Sequence, residues 1–168
     1  MMASLEGRAR RLGNDVNTDY IISSARKRAT IDPSVLKQWL FEGISPAFAA
    51  SVRAGDLIVA GRNFGCGSAM EVAVTVMLAA GIEAVLAESF SRTFFRNSVN
   101  NGLIPVECDT RRIRDGERLA IEIADGRLVV SNLSSGERME AAPLTGIALA
   151  ILDTGGLVGH IVRHRGWR

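Results

Sequence analysis

The 168-residue sequence contains only two cysteines, Cys66 and Cys108, and only two histidines, His160 and His164, both in the tail. Neither cysteine forms a CxxC pair or has a histidine nearby in sequence, so there is no disulfide framework and no zinc-type ligand spacing. Charge of one sign is lacking as well. Twenty Lys and Arg face 18 Asp and Glu, and the net charge of +2 sets up too weak a field to draw in nucleic acid or a membrane surface. The short basic runs, Arg8 to Arg11, Arg26 to Arg28 and the tail, have no interleaved aromatics of the kind that stack on bases. No apolar run reaches the ~18 residues that span a bilayer. The opening MMASLEGRARRLG has charges but no apolar centre, which reads against a secretory signal and for a cytoplasmic protein. Core material, by contrast, is plentiful: with 47% hydrophobic and 23% charged residues, a chain of this length buries a full core as one domain.

The segments alternate as in an α/β domain of mixed strands whose chemistry sits on loops. Residues 8–12 read as a short strand, and NDVNTD (14–19) as a polar loop of turn formers. Tyr20–Ile22 is a brief apolar step, and SSARKRAT (23–30) a loop with three consecutive cations. Asp32-Pro33 predicts a capped helix through Leu40, and Ser45-Pro46 a shorter one through Phe48. DLIVAG (56–61) is the clearest buried strand. AMEVAVTVMLAA (69–80) predicts a helix buried on several sides and ended by Gly81 in a left-handed cap. A strand over 83–87, a helix over 91–101 closed by Gly102, and the apolar step 103–106 follow. LAIEI (119–123) and RLVVS (127–131) around Asp125-Gly126 predict a hairpin. Pro143 opens a last helix through Leu152, stopped at Gly155-Gly156, and the basic tail HIVRHRGWR is expected to fray.

The stretch NFGCGSAMEV (63–72) concentrates the chemistry. Ser68 and Glu71 form S-x-x-E, a capping box that accounts for both residues without any ligand. The same geometry, a helix start flanked by glycines, also presents unpaired N–H groups to a carboxylate or phosphate. The Gly-Lys-Ser/Thr ending of a Walker loop is missing. Cys66 reads as a small buried hydrophobe or as a thiol activated by a helix terminus, and no histidine lies near enough in sequence to make a Cys/His pair.

Three motifs combine into one pattern. Asn17-Thr18-Asp19 with Ile21-Ile22 comes first, then Gly55-Asp56 with Asn63-Phe64-Gly65-Cys66-Gly67-Ser68, then Ser89-Phe90-x-Arg92-x-Phe94-x-Arg96-Asn97-x-x-Asn100-x-Gly102-Leu103. In this order they resemble the small subunit of 3-isopropylmalate dehydratase, the swivel domain of the aconitase superfamily. The resemblance runs from about Gly7 to Cys108 and resumes weakly at Thr154–Leu157. It implies a three-layer β/β/α swivel fold over residues 1–168, with catalytic motifs in 14–102 and a C-terminal hairpin and helix in 117–168. It also implies a hydro-lyase that closes over a large subunit carrying a [4Fe-4S] cluster, with no metal held by this chain. The substrate it implies is a hydroxy di- or tricarboxylate. By the same resemblance Ser68 is the catalytic base, aided by N–H groups around Gly67. Asp19 supports an active-site histidine of the large subunit through a charge-assisted hydrogen bond. Arg26, Lys27 and Arg28 lie on the loop that selects the substrate side chain, and Gly65, Glu71, Arg92 and Arg96 are supporting residues. Composition alone allows blander roles: an Asx turn for Asp19, a solvated helix face for Arg92 and Arg96.

Two departures from the pattern bear on the substrate. After the serine the family usually has serine, arginine, glutamate and histidine, and this chain has Ala69, Met70, Glu71 and Val72. The arginine that binds a substrate carboxylate is therefore replaced by Met70, and an unpaired carboxylate is costly to desolvate. Where isopropylmalate enzymes commonly have Ala-Arg-Tyr-Leu, this chain has Ala25-Arg26-Lys27-Arg28. Exchanging an aromatic and a leucine for two cations disfavours an isopropyl group, and Lys27 or Arg28 is expected to supply the charge missing at position 70. The leading expectation is an isopropylmalate dehydratase-like small subunit, as in leucine biosynthesis. A dimethylmalate dehydratase or homoaconitase-type subunit is the alternative, and a non-catalytic swivel or binding module a third.

Overall fold

Strand β1 (Ala3–Arg11) is long enough to serve two sheets, and this decides the architecture of the computed structural model, which describes residues 3–124 and 126–165. Its first part, Ala3 to Arg8, pairs antiparallel with β5 (Arg118–Ala124), and its last, Ala9 to Arg11, pairs parallel with β2 (Leu57–Ala60). Gly7 stands just before the changeover, where an added Cβ would fall on the Gly55 carbonyl oxygen and within 2.8 Å of Leu57 Cγ. On one side β3 (Ala84–Ala87) and β4 (Ile104–Glu107) extend the parallel half, and on the other β6 (Arg127–Asn132) and β7 (Arg138–Ala141) extend the antiparallel half. The strand order is β4-β3-β2-β1-β5-β6-β7.

Alternation along the strands builds the layers. Ile58, Ala60, Val85 and Ala87 bury one face of the parallel half in a core built largely with helices α1 (Thr18–Ile21), α3 (Pro33–Leu36) and α5 (Val72–Ala79), which Phe48 and Phe94 also enter. Leu57, Val59, Ala84 and Leu86 face the other way, into a second core with Leu119, Ile121, Leu128 and Val130 of the antiparallel half. That core also takes Val99 of α6 (Arg92–Asn101) and Ile151 of α7 (Gly146–Asp153). Every residue of β2 and β3 is buried, because helices cover one face and a second sheet the other, which gives the expected β/β/α layering. Each buried Val, Leu or Ile on these strands contributes about 1.5–3 kcal/mol. Among the described residues no single helix is long and apolar enough to cross a membrane.

Several expected elements change. The supposed loop 23–30 is helix α2 (Ser24–Ala29), started by Ser23 Oγ accepting from the Arg26 N–H at 3.3 Å. The helix expected from Pro33 to Leu40 is α3 followed by a 3-10 turn, Lys37–Trp39. The one expected after Pro46 is α4 (Phe48–Ser51), and the one after Pro143 begins only at Gly146, capped by Thr145. The tail forms α8 (Leu157–His164) instead of fraying: His160 is only 2% exposed and Nδ1 lies 3.3 Å from the Ala150 carbonyl oxygen. Strands β5 and β6 make the expected hairpin through Gly126 at φ +80°; Asp125 of that turn and residues 166–168 of the tail lie outside the described residues.

Candidate active site

Three loops leave the C-terminal ends of neighbouring parallel strands β1, β2 and β3, which is where open α/β sheets place their ligands. Backbone bonds stitch the loops together: Asp15 N–H to Arg62 O at 2.8 Å, Gly65 N–H to Val16 O at 2.8 Å, Thr18 N–H to Cys66 O at 2.9 Å, and Phe64 N–H to Ser89 O at 2.9 Å. Side chains add to this. Ser91 Oγ donates to the Gly65 carbonyl at 2.7 Å, and Thr18 Oγ1 to the Ser68 carbonyl at 2.9 Å. Beneath the motif Phe64 is fully buried, edge-on to Phe94 with ring centroids 5.1 Å apart.

Two glycines make this path possible. Gly65 has φ +76° and lies against the Phe94 ring, where a Cβ would overlap. Gly67 has φ +91°, and a Cβ there would overlap the Asn17 side chain. The turn carries Ser68 to the surface, where it is exposed. The N–H groups of Gly67, Ser68 and Ala69 donate to no protein group among the described residues, whereas Cys66 is tied to the Asn17 loop by a parallel bridge, so the loop offers donors beside the hydroxyl.

The expected capping box is absent. Helix α5 starts at Val72, Glu71 occupies its N-cap position, and no side chain bonds there. The Thr18 hydroxyl ties the Ser68 carbonyl to the neighbouring loop, and Met70 must turn inward to 4% exposure before the helix begins. Ser68 therefore precedes the helix by several residues.

Asp19 is exposed on α1, and its Oδ1 accepts from Ser24 Oγ at 2.7 Å. The Asx turn belongs to Asn17, whose Oδ1 accepts from the Asp19 N–H at 2.9 Å, so the Asp19 carboxylate remains available. The three cations of α2 diverge. Arg26 is committed to Glu42 through two bonds, 2.9 and 3.0 Å, and its guanidinium lies 4.5 Å from the Trp39 ring centre. Glu42 holds the Arg26 charge and is itself kept below the ordinary carboxylate range, chiefly by that hydrogen bond. Lys27 places Nζ 3.0 Å from Met70 Sδ, and Arg28 is exposed. Arg92 and Arg96 line a different cleft, about 400 Å³, with Phe90, Phe95 and Glu107.

Comparison with known proteins adds to this geometry. Residues 45–111 match the Aconitase C-terminal domain. The 3-isopropylmalate dehydratase small subunit of Methanosarcina mazei is 41% identical over 155 residues, covering 92% of this chain and 94% of that protein. The chain belongs to the 3-isopropylmalate dehydratase small-subunit family. A methanogen homoaconitase small subunit from Methanocaldococcus jannaschii is nearly as similar, at 40% identity over 161 residues, with 96% of this chain and 93% of that one covered. The crystal structure of a 3-isopropylmalate dehydratase from the same organism superposes with a TM-score of 0.91 at 38% identity, covering 97% and 96% of the two chains.

The family's iron–sulfur cluster does not fit the donors of this chain. Cys66 is partly exposed on the motif loop, whereas Cys108 is buried, its thiol pushed up to about 12 by burial and by Asp109 and Glu107. Among the described residues no group of three His, Cys, Asp or Glu is placed to hold a metal. Sequence reading missed three contributors: the Thr18 hydroxyl on the Ser68 carbonyl, Ser24 on Asp19, and Ser91 on the Gly65 carbonyl. Thr18 stands inside a recognised motif and Ser24 five residues from Asp19, but Ser91 reaches Gly65 across 26 residues.

Proposed function

We propose that the chain is the small subunit of a heteromeric hydro-lyase that removes water from a substituted malate-type hydroxy acid and returns it, active only when joined to a large subunit. The observation that carries this reading is that Ser68 and Gly67 on their loop and Asp19 on α1 stand exposed on segments that backbone bonds tie together, a half-site open to a facing surface. The large subunit covers that surface. Tyr20, Ile31, Val35 and Ile44 are between 41% and 78% exposed and all fall in the 20–44 segment beside the site, which supports a partner face there.

In the closed heteromer the Ser68 Oγ takes the proton from the carbon beside a substrate carboxylate, and the electron pair released forms the double bond as the neighbouring hydroxyl leaves. Free N–H groups of residues 67–69 stabilise the serine oxyanion. Asp19, steadied by Ser24, orients a proton donor of the large subunit for the leaving hydroxyl. An iron–sulfur cluster held by the large subunit would supply Lewis acidity at that hydroxyl. Similarity to isopropylmalate subunits supports isopropylmalate as substrate, while the Lys27 and Arg28 cations favour a second, homoaconitase-type reading with an anionic substituent.

The test is co-expression with the large subunit, anaerobic cluster reconstitution, and a screen of malate derivatives for the unsaturated acid. Ser68→Ala is expected to lower kcat by about 10²–10⁴-fold, the usual share of a positioned base. Full turnover in that variant refutes the role.

A further inference from the structure

The buried ring of His160 has one nitrogen that the fold leaves unused. His160 sits on α8 at 2% exposure, and its Nδ1 lies 3.3 Å from the Ala150 carbonyl oxygen of α7. A carbonyl oxygen only accepts, so Nδ1 carries the proton of the neutral ring and Nε2 is left as a bare lone pair. No protein group among the described residues meets that Nε2, although it is sealed from solvent. A buried acceptor without a partner costs stability and calls for an explanation. One turn further along α8, His164 brings a second imidazole to the same face, with the ring centres 4.5 Å apart. His164 is exposed, so its ring turns on its own torsions without disturbing the helix.

We infer that His160 and His164 form a two-histidine site for a divalent transition-metal ion, of the Zn²⁺, Ni²⁺ or Cu²⁺ class that imidazole nitrogen suits. Two nitrogens bound at ~2.0–2.1 Å to one tetrahedral ion stand about 3.3 Å apart, a separation within reach of rings centred 4.5 Å apart. A backbone carbonyl accepting from Nδ1–H is the kind of outer bond that fixes the tautomer and orientation of a metal-bound histidine, and here α7 supplies it. Asp153 is paired with Arg163 at 3.6 Å, and among the described residues no third His, Cys, Asp or Glu joins the pair. Water therefore completes the coordination, and the site is open. Bound there, the ion clasps the last turns of α8 onto α7. The inference does not depend on the reaction proposed above.

The experiment titrates Ni²⁺ into the untagged full chain and reads calorimetric binding together with Tm. One equivalent is expected to bind, and at about a hundred times Kd to raise Tm by about 5–10 °C. Replacing the buried His160 disturbs the packing of α8, so the deciding variant is His164→Ala, which removes an exposed side chain and keeps the metal-free Tm. It is expected to weaken Ni²⁺ binding at least about tenfold and to abolish the Tm shift. His164→Ala with Val162→His keeps two histidines on α8 but only two residues apart, on different faces, and does not recover binding. Absence of Ni²⁺ binding by the native chain overturns the inference. So does a His164→Ala chain, or the displaced pair, that binds as tightly as the native one.

Discussion

Asp56→Ala tests the joint on which the site is built. The Asp56 side chain is 4% exposed and follows Gly55 at the start of β2. It accepts four bonds: from Arg8 Nε at 3.1 Å and Nη2 at 2.8 Å, from Arg10 Nη1 at 3.2 Å, and from the Arg53 N–H at 3.0 Å. These bonds clamp β1 to β2 where β1 passes between the sheets. Removing one member of a buried ion pair typically costs ~3–5 kcal/mol, because the remaining charge is left uncompensated. Arg8 is 35% exposed and rehydrates readily, whereas Arg10 is 12% exposed and does not, which places the loss near the lower end, about 3 kcal/mol. For a domain of this size that lowers Tm by roughly 6–12 °C. Burial raises the Asp56 pKa, but the bonds from Arg8, Arg53 and Arg10 outweigh it, so the folded value lies below the ordinary 3.8. Stability from this group is therefore complete above the unfolded value and disappears as pH falls below about 3.8 toward the folded one. Urea titrations between pH 2 and 7 should show this acid loss in the native chain and a smaller one in Asp56→Asn. A cost below about 1 kcal/mol for Asp56→Ala, with unchanged acid sensitivity, would refute the clamp.

Two further expectations concern the loop and the partner face. Gly67→Ala places a side chain at φ +91° and into the Asn17 side chain, and should cost more than Gly116→Ala, where φ is +83° but nothing lies within 4 Å. The shared backbone strain is about 1–2 kcal/mol, and equal melting temperatures for the two variants would deny the Asn17 contact. Ile31 is 78% exposed beside the site, so Ile31→Asp should leave the isolated chain's Tm unchanged and weaken heteromer formation by about tenfold, read by calorimetry against the large subunit. Unaltered affinity would move the partner face elsewhere.

The buried strands were legible because β2 and β3 are covered on both faces and so read as unbroken apolar runs. Helix α6 was legible through its Gly102 stop, at φ +87°. Helix α2 was not, since a run of cations carries no apolar period, and its anchor, Glu42, lies 16 residues from Arg26. The tail misled for a related reason: its arginines mask an amphipathic helix whose His160 packs inward under α7. At Ser68 and Glu71 the spacing of a capping box is present without the box, because the Thr18 hydroxyl, 50 residues away, takes the Ser68 carbonyl.

Two departures that stand 43 residues apart in sequence meet in the fold. Met70 carries no charge, and the Lys27 ammonium of α2 has no acid among its contacts in the described residues. Read separately, the first suggests a damaged site and the second a solvated surface. The 3.0 Å contact between Lys27 Nζ and Met70 Sδ makes them one feature, since a side chain without charge at position 70 is what gives the α2 ammonium a place to rest. Arginine at 70 would repel Lys27 unless an anion lay between them. The pair therefore constrains substitution jointly: Met70→Arg alone should be worse tolerated than the same change made with Lys27→Met, because only the double variant returns the local charge to one.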